Sequence, residues 1–504
     1  MDGWRVVTMR TRIEHFHPGM AMSLATKVYS VARCGLAIAV LGCGASERTP
    51  TPTAPMLPVA PTLPSTDPVR VLSPHSAVGA TVGAAFTYDA TKNSACFSDP
   101  RGSGLTYAVT FAPAANGLTA SSGRIAGVPA APGIMTVTVV ATDASGSSAS
   151  TNFSLVAFSA DLLAPTLPVS SFAYADARAP LPAHFADPNA PGGAATGTDN
   201  TPADNLTTDA GATLGRVLFY DRRLSRNDRV SCSSCHQQQF GFADTAKLSR
   251  GFAAGTTARH SMSLANARFY RRARFFWDER AATLEAQTLQ PIQDVTEMGM
   301  TLDALATKLS LTAYYPGLFQ SAFGTADVTS DRIARALAQF VRALVSGTSR
   351  FDRAFTGTVP NFATTFNAEE LRGQNLFNGP AGCARCHATN AHVGDNIHNT
   401  GLDATIVDVG AGQGRFKAPS LRNVAVRTPY MHDGRFRTLA QVIDFYDSGV
   451  QNNPALDVRL RGPGGQPQRL NLSAAQKLSL VAYLLTLTDT TFLTSARLAD
   501  PFVR

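Results

Sequence analysis

Apolar and polar residues alternate along residues 69–158, which is the pattern of half-buried β-strands. The runs LTYAVTF and IMTVTVVATDASGSSASTNFSLVAF show the alternation most clearly, and short Gly- and Ser-rich turns interrupt it. The pattern predicts a small all-β sandwich over this stretch. No candidate catalytic group stands out in it, so we expect a spacer or an adhesive module.

From about residue 206 onward the spacing of apolar residues becomes helical. In the run SDRIARALAQFVRALVSG the apolar residues fall on one stripe of a helix. The stripe consists of Ile333, Leu337, Phe340, Val341 and Leu344, and the residues off it include Arg332, Arg335 and Arg342. A second run, LSAAQKLSLVAYLLTL, begins with a capping box formed by Ser473 and Gln476. The C-terminal part is therefore predicted to be mainly helical, with these stripes in its core.

The first 43 residues have the features of an export signal. Lys27 and Arg33 precede a short apolar run that ends in VLGC, which resembles a bacterial lipobox with Cys43 as the lipidated residue. The alternative is an ordinary secretory signal cleaved nearby. Residues 44–68 are rich in Pro and Thr and predict an extended linker. We expect an exported protein, located in the periplasm or anchored to the outer membrane by a lipid.

Composition excludes two broad classes. Hydrophobic residues make up 44% and charged residues 16% of the chain, so the protein as a whole is not disordered. The formal net charge is +8, but the basic residues are scattered and several lie in the predicted signal. No basic patch is evident, so we do not expect a nucleic acid as a partner.

Four of the seven cysteines form two C-x-x-C pairs, and a histidine follows each pair directly. Zinc ribbons typically separate their pairs by roughly 15–20 residues, a much shorter interval than the one here, and redox dithiols need no histidine. Covalent haem c uses all three residues: two thiols bind the porphyrin and the histidine binds the iron. The motifs predict two haem c groups held by Cys232, Cys235 and His236, and by Cys383, Cys386 and His387. Cys96 is expected to be an ordinary buried or loop thiol.

The surroundings of the two motifs also repeat. The triplet Gly215, Leu218 and Phe219 corresponds to Gly373, Leu376 and Phe377, in the pattern G-x-x-L-F. We therefore expect a multidomain chain, with the small all-β sandwich followed by two mainly α cytochrome c-like haem domains. Their predicted bounds are 206–358 for the first (peroxidatic) domain and 359–490 for the second (electron-transfer) domain, with a linker at 159–205 and a tail at 491–504.

Three stretches resemble known families. GLTASSGRIAGVPAAPG resembles a signature of bacterial immunoglobulin-like modules, G-L-x(4)-G-x-I-x-G-x-P. FFWDERAATLEAQTLQPIQDVTEMG resembles the pattern F-W-D-G-R-A-x-x-L-x-x-Q-x-x-x-P-I-x-x-x-x-E-M of bacterial di-haem cytochrome c peroxidases, whose architecture the MauG-type enzymes share. FKAPSLRNVAVRTPYMHDGRFRTLAQVIDFYDSG resembles the second-domain signature of that family. The resemblance covers roughly residues 206–490.

The family resemblance implies three functions, of which the first is favoured. It is the reduction of hydrogen peroxide with electrons from a small c-type cytochrome or cupredoxin. The second is a MauG-type oxidation of a protein or organic substrate, and the third is electron transfer without catalysis. A homodimer is a further expectation.

The resemblance also implies roles for individual residues. Gln287 and Glu297 would line the distal side of the first haem, where a carboxylate relays the peroxide proton and an amide stabilises developing charge. Pro291 lies between them, so the chain must fold back over the haem. Trp277 matches the inter-haem tryptophan of the family. The alternatives are two surface residues on a loop and a packed core aromatic.

At the second haem, the axial methionine of the family is replaced by Tyr446, as in the MauG-type branch; the alternatives are ligation by Met431 and a merely packed tyrosine. A phenolate ligand would lower the reduction potential. The histidine that blocks the first haem in the classical peroxidases is not evident. His260 instead matches a calcium-ligating asparagine, which leaves the calcium site in doubt although the carbonyls of Arg427 and Pro429 match its other ligands. The remaining histidines of this half, His392, His398 and His432, are expected to form hydrogen bonds rather than to bind iron.

Overall fold

The computed structural model describes residues 67–193 and 197–502. All of them belong to one compact unit that spans Pro64–Arg504. The predicted export signal, its lipobox Cys43 and nearly all of the Pro-rich linker lie outside the described residues. Within the described part, no helix combines the length and the apolar character needed to cross a membrane.

The strand-rich region is a two-sheet sandwich, as predicted. A four-stranded sheet has the order β2-β9-β8-β5, in which only the β2/β9 pair is parallel, and a three-stranded antiparallel sheet has the order β3-β7-β6. β1 and β4 pair with each other. The strands are β1 Arg70–Val71, β2 Val78–Thr81, β3 Phe86–Asp89, β4 Phe97–Ser98, β5 Leu105–Ala112, β6 Leu118–Ser121, β7 Arg124–Gly127, β8 Gly133–Asp143 and β9 Ser148–Phe158.

Alternation along β8 explains how the sheets pack. Val137 and Val139 are fully buried, and the intervening Thr138 points to the other face of the sheet. They meet Ile125 and Leu118 of the smaller sheet in one apolar core. Burying each such aliphatic side chain contributes about 1.5–3 kcal/mol. A shift of one residue in register would turn this set outward, so the alternation fixes the pairing.

The rest of the chain is mainly helical. The helices are α1 Ala183–Ala186, α2 Asp209–Tyr220, α3 Cys232–Cys235, α4 Leu284–Gln293, α5 Leu302–Ser310, α6 Tyr315–Phe323, α7 Ser330–Arg342, α8 Phe362–Thr365, α9 Ala368–Asn378, α10 Leu439–Asp444, α11 Ala474–Leu485 and α12 Thr490–Thr494. Short strands are β10 Phe355–Thr356, β11 Val359–Pro360, β12 Ile397–His398 and β13 Phe416–Lys417. Short 3-10 turns cover Arg222–Leu224, Gln238–Phe240, Ala267–Phe269, Asp352–Ala354, Cys383–Arg385, Val424–Val426, Val458–Leu460 and Pro463–Gly465.

The repeated glycines mark a repeated helix pair. α2 packs against α7, and α9 packs against α11. A Cβ atom at Gly215 would lie 1.9 Å from the carbonyl oxygen of Ala336, and one at Gly373 would lie 1.9 Å from that of Ser479. Only glycine permits this approach of two helix backbones. The G-x-x-L-F repeat therefore reflects the same helix crossing in both haem domains.

The predicted helical stripe on α7 is buried, but so is a charge that was expected outside it. Arg342 is 2% exposed, and its guanidinium lies 2.6 Å from the Glu285 carboxylate. Pairing is what permits the burial of this charge. The predicted capping box at the start of α11 is present, with Ser473 accepting from the backbone N–H of Gln476.

The segment predicted as a linker (159–205) and the tail (491–504) differ from that expectation, because their described residues pack on the first haem domain. The Tyr174 hydroxyl donates to the carbonyl oxygen of Arg497, and the Tyr220 hydroxyl donates to that of Leu498 at 2.7 Å. The backbone N–H of Thr166 donates to the carbonyl oxygen of Pro501 at 2.7 Å. Buried tyrosines with these partners fix the two segments together across α2.

Candidate functional site

The first C-x-x-C-H motif is held in one short helix. Ser231 and Ser234 form a capping box around α3, which carries both thiols. The Nδ1–H of His236 donates to the carbonyl oxygen of Phe242 at 3.0 Å. That bond orients the ring and leaves Nε2 as the nitrogen that can bind a metal.

The second motif repeats this arrangement on a 3-10 turn. The Nδ1–H of His387 donates to the carbonyl oxygen of His392 at 3.3 Å. Phe242 and His392, the two acceptors, both have left-handed backbone, with φ of 58° and 52°. Burial lowers the pKa of His236 and lowers that of His387 to about 4, so both rings are neutral and able to coordinate a metal.

The two motifs line separate cavities. Cavities of about 540 Å³ and 70 Å³ adjoin at the first motif and share His236, while a cavity of about 220 Å³ surrounds Cys383, Cys386 and His387. All four thiols are free. Within the described ranges, no cluster of three or more His, Cys, Asp or Glu side chains could hold a bare metal ion. The separation excludes a zinc ribbon, and the free thiols with an oriented imidazole at each cavity fit covalent haem c.

A carboxylate and an amide lie on the wall of the first cavity. Gln287 is on α4, which Thr283 caps, and Glu297 follows in the turn after the helix; both line the cavity beside Pro291. The carbonyl oxygen of Asp294 accepts from Met298 N and Gly299 N, which folds the chain back. Burial raises the pKa of Glu297, and the charge of Asp294 raises it further.

Trp277 lies in the wall between the cavities. It lines both the first and the second, in a turn closed by the paired residues Phe275 and Ala281. Its Nε1–H donates to the carbonyl oxygen of His260 at 2.7 Å, and its own carbonyl oxygen accepts from the N–H of Lys417 at 2.8 Å. The indole is therefore fixed from both haem domains.

Comparison with known proteins agrees with these sites. Residues 209–359 match the family model of di-haem cytochrome c peroxidases, and residues 68–157 match an Ig domain model. The chain is 36% identical over 297 residues to the methylamine utilization protein MauG of Methylorubrum extorquens, covering 57% of this chain and 80% of that protein. It is 34% identical over 252 residues to the cytochrome c551 peroxidase of Nitrosomonas europaea, covering 46% and 71%.

The chain belongs to the di-haem cytochrome c peroxidase and MauG family. It is an oxidoreductase of the peroxidase type with two covalently bound c haems. A crystal structure of a MauG-like protein associated with microbial copper homeostasis has a TM-score of 0.53 and 32% identity, covering 60% of this chain and 95% of that one. The predicted fold class, an Ig-like sandwich followed by helical haem domains, is confirmed.

In this di-haem peroxidase, both residues considered as the sixth ligand of the second haem line the second cavity. Tyr446 belongs to a π-helical turn, Phe445–Gly449, that continues α10, and Val442 lines the same cavity four residues earlier. Such turns are frequent at functional sites. Met431 has a φ of 73°, which is unusual for a side chain of its size.

His260 is fixed in the wall between the cavities. Its Nδ1–H donates to the carbonyl oxygen of Ala246 at 3.1 Å, and its backbone N–H donates to that of His432 at 2.8 Å. Burial lowers the pKa of the Arg427 guanidinium to about 10, and that charge adds to the effect of burial in lowering the pKa of His260. A calcium ion held by the Arg427 and Pro429 carbonyls would therefore lie near a buried positive charge, which opposes its binding.

The three other histidines make the polar contacts that the sequence predicted. The hydroxyl of Tyr483 and Nε2 of His392 lie 2.8 Å apart, and Nδ1 of His398 lies 2.6 Å from Asp457. His432 stacks on Phe416 with 3.7 Å between ring centroids. His398 and His432 also line the second cavity.

Sequence reasoning missed a group of polar residues at the first cavity. Lys417 is 5% exposed and lines both haem cavities, with Nζ 3.9 Å from the ring centroid of Tyr270. The Tyr270 hydroxyl donates to Glu279, which pairs with Arg272. The one available signal was Glu279 itself, because the family pattern has glycine there. Its φ of 53° costs a non-glycine residue about 1–2 kcal/mol.

Proposed function

We propose that this protein reduces hydrogen peroxide at its first haem and receives the electrons through its second haem, from a small c-type cytochrome or a cupredoxin. One observation carries the proposal: Gln287 and Glu297 line the first cavity, whereas Tyr446 and Met431 line the second. An acid–base pair beside one haem is what cleavage of peroxide requires. A pure electron carrier needs no such pair.

The haem supplies the iron at which peroxide binds, and the chain manages the proton. Glu297 in its ionised form accepts the proton of the bound oxygen and returns it to the departing oxygen as water forms. The Gln287 amide donates a hydrogen bond to the charge that develops between the two oxygens. Burial, which raises the pKa of Glu297, makes it a better proton acceptor than an exposed carboxylate.

Trp277 is the proposed conduit between the haems. Its support is that the indole borders both cavities and is held by hydrogen bonds from either side. His236 and His387 are the proposed proximal ligands, and Tyr446 is the proposed sixth ligand of the second haem. The rival sixth ligand is Met431.

A peroxide assay tests the proposal. The holoprotein would be mixed with a reduced small c-type cytochrome, and in parallel with a reduced cupredoxin, and donor oxidation would be followed after addition of hydrogen peroxide. We expect rapid oxidation in at least one case and little in the Glu297→Gln protein. Failure of peroxide to accelerate donor oxidation would contradict the proposal.

A second candidate is oxidation of a protein or organic substrate in the manner of MauG. Two observations favour it: the 36% identity to MauG and the tyrosine that borders the second haem cavity. A phenolate ligand lowers the reduction potential and favours higher oxidation states of iron. If peroxide oxidises both haems but neither donor supports turnover, this second function is the better account.

Export and membrane anchoring form part of the same proposal. Attachment of haem c takes place after export, and the lipobox Cys43 would carry the lipid. We expect the full-length protein in the membrane fraction and the Cys43→Ser protein in the soluble periplasmic fraction. A homodimer and a calcium ion stay predictions; size measurement in solution and metal analysis after chelation test them.

A further inference from the structure

We propose that Tyr270 is a redox-active tyrosine: when peroxide has oxidised the first haem and no donor is present, Tyr270 gives it one electron and gives its phenolic proton to Glu279. The proposal rests on the proposed peroxide chemistry. The step balances, because the oxidised haem gains one electron, the tyrosine loses one, and the proton moves along an existing hydrogen bond. Hydrogen peroxide is the only oxidant.

The position of Tyr270 suits electron transfer. Its fully buried side chain lines the first haem cavity. It also packs against Ala391 and Val393, which flank the residue whose carbonyl oxygen accepts from His387. Tyr270 therefore lies between the first haem cavity and the proximal loop of the second haem, as a second aromatic residue beside Trp277.

The hydrogen bonds suit proton transfer. The Tyr270 hydroxyl donates to the Glu279 carboxylate, which is 3% exposed. Arg272 holds that carboxylate with Nε at 2.8 Å and 2.9 Å from its two oxygens. Trp277 differs in this respect, because its N–H donates to a backbone carbonyl, which cannot take a proton as a carboxylate can.

Lys417 makes the two transfers depend on each other. Its Nζ lies 3.9 Å from the centroid of the Tyr270 ring, so loss of an electron alone would place two positive charges together. Loss of the proton to Glu279 leaves a neutral radical instead. Burial raises the pKa of Tyr270, and Glu279 raises it further, so the phenolate does not form before the electron leaves.

The test is rapid-freeze EPR spectroscopy of the ferric holoprotein after mixing with hydrogen peroxide without donor. We expect an organic radical whose hyperfine structure changes when ring-deuterated tyrosine is incorporated. Tyr270→Phe should remove this signal, and Glu279→Gln should lower its yield at least tenfold, because an amide accepts the hydrogen bond but not the proton. Haem content and circular dichroism identify variants that fail to fold.

Tyr315→Phe is the matched control. Tyr315 is also fully buried and donates to a carboxylate, Asp221 at 2.8 Å, but it lines none of the haem cavities. The tyrosyl signal should persist in this variant. A signal that persists in Tyr270→Phe, or one that responds to deuterated tryptophan instead, overturns the inference. If peroxide leaves the haem absorption unchanged in every protein, the proposed function fails and the inference fails with it; a changed absorption without a tyrosyl signal overturns only the inference.

Discussion

The two haem domains are alike on their proximal sides and different on their distal sides. In both, a C-x-x-C-H motif follows a helix whose glycine crosses a later helix at the same close distance, and the histidine donates to a backbone carbonyl five or six residues on. On the distal side, the first cavity has a carboxylate and an amide, whereas the second has a tyrosine and a methionine.

The difference separates attachment from reactivity. Thioether bonds and an oriented imidazole make the same demands in both domains, so the proximal scaffold repeats. What the iron then does depends on the opposite face, where a sixth ligand closes the site and an acid–base pair makes use of an open one. One duplicated scaffold thus carries a reactive haem and an electron-transfer haem.

The largest expected effect comes from removal of the distal carboxylate. Glu297→Gln should leave both haems attached and peroxide able to bind, while O–O cleavage slows by about 10²–10⁴-fold because the proton relay is lost. Stopped-flow spectroscopy of the ferric protein measures this step directly. A cleavage rate equal to the parental one would show that the two distal sides do not differ in the way proposed.

The shared scaffold is tested by filling the helix crossings. Gly215→Ala and Gly373→Ala should each lower the free energy of unfolding by about 1–3 kcal/mol, because the new Cβ meets a backbone carbonyl that must move. Gly317, in α6, is the control, since a Cβ there meets nothing within 4 Å. Denaturant unfolding of the holoproteins gives the values. Equal stability of Gly215→Ala and Gly317→Ala would refute the account of the crossing.

The closed second haem is tested by spectroscopy. Tyr446→Phe should open its sixth position and leave the spectrum of the first haem nearly unchanged, because Tyr446 lines the second cavity. Met431→Leu is the paired variant. A methionine-ligated ferric haem c has a weak long-wavelength absorption band that a tyrosinate-ligated one lacks. That band in the parent protein, lost only in Met431→Leu, would make Met431 the ligand.

The pH dependence gives the smallest effect. Glu297 must be ionised to accept the proton, and its pKa lies above the ordinary value of 4.5, so cleavage should slow as the pH falls through that raised pKa. The slower rate should not depend on pH in this range in Glu297→Gln. The spectrum of the second haem should be unaffected in both proteins. An unchanged acid limb in the variant would point to another group.

Local patterns predicted much of this architecture, because their causes lie close together in the chain. The haem motifs, the capping box at Ser473 and the strand alternation each depend on neighbouring residues. The cluster of Tyr270, Glu279 and Lys417 could not be predicted in this way, since the lysine comes from the other haem domain and its burial depends on the domain contact. The buried Arg342 was missed for the same reason, as Glu285 on another helix makes its burial tolerable.

The contrast between an open and a closed haem is tested most directly by EPR spectroscopy of the resting ferric protein. Because His260 is held in the wall by hydrogen bonds and the first cavity offers Gln287 and Glu297 instead of a blocking histidine, we predict one high-spin, five-coordinate haem and one low-spin haem. Prior reduction of the second haem should then not be needed for activity. A spectrum with only low-spin ferric haem would contradict the account and identify His260 as the first residue to replace.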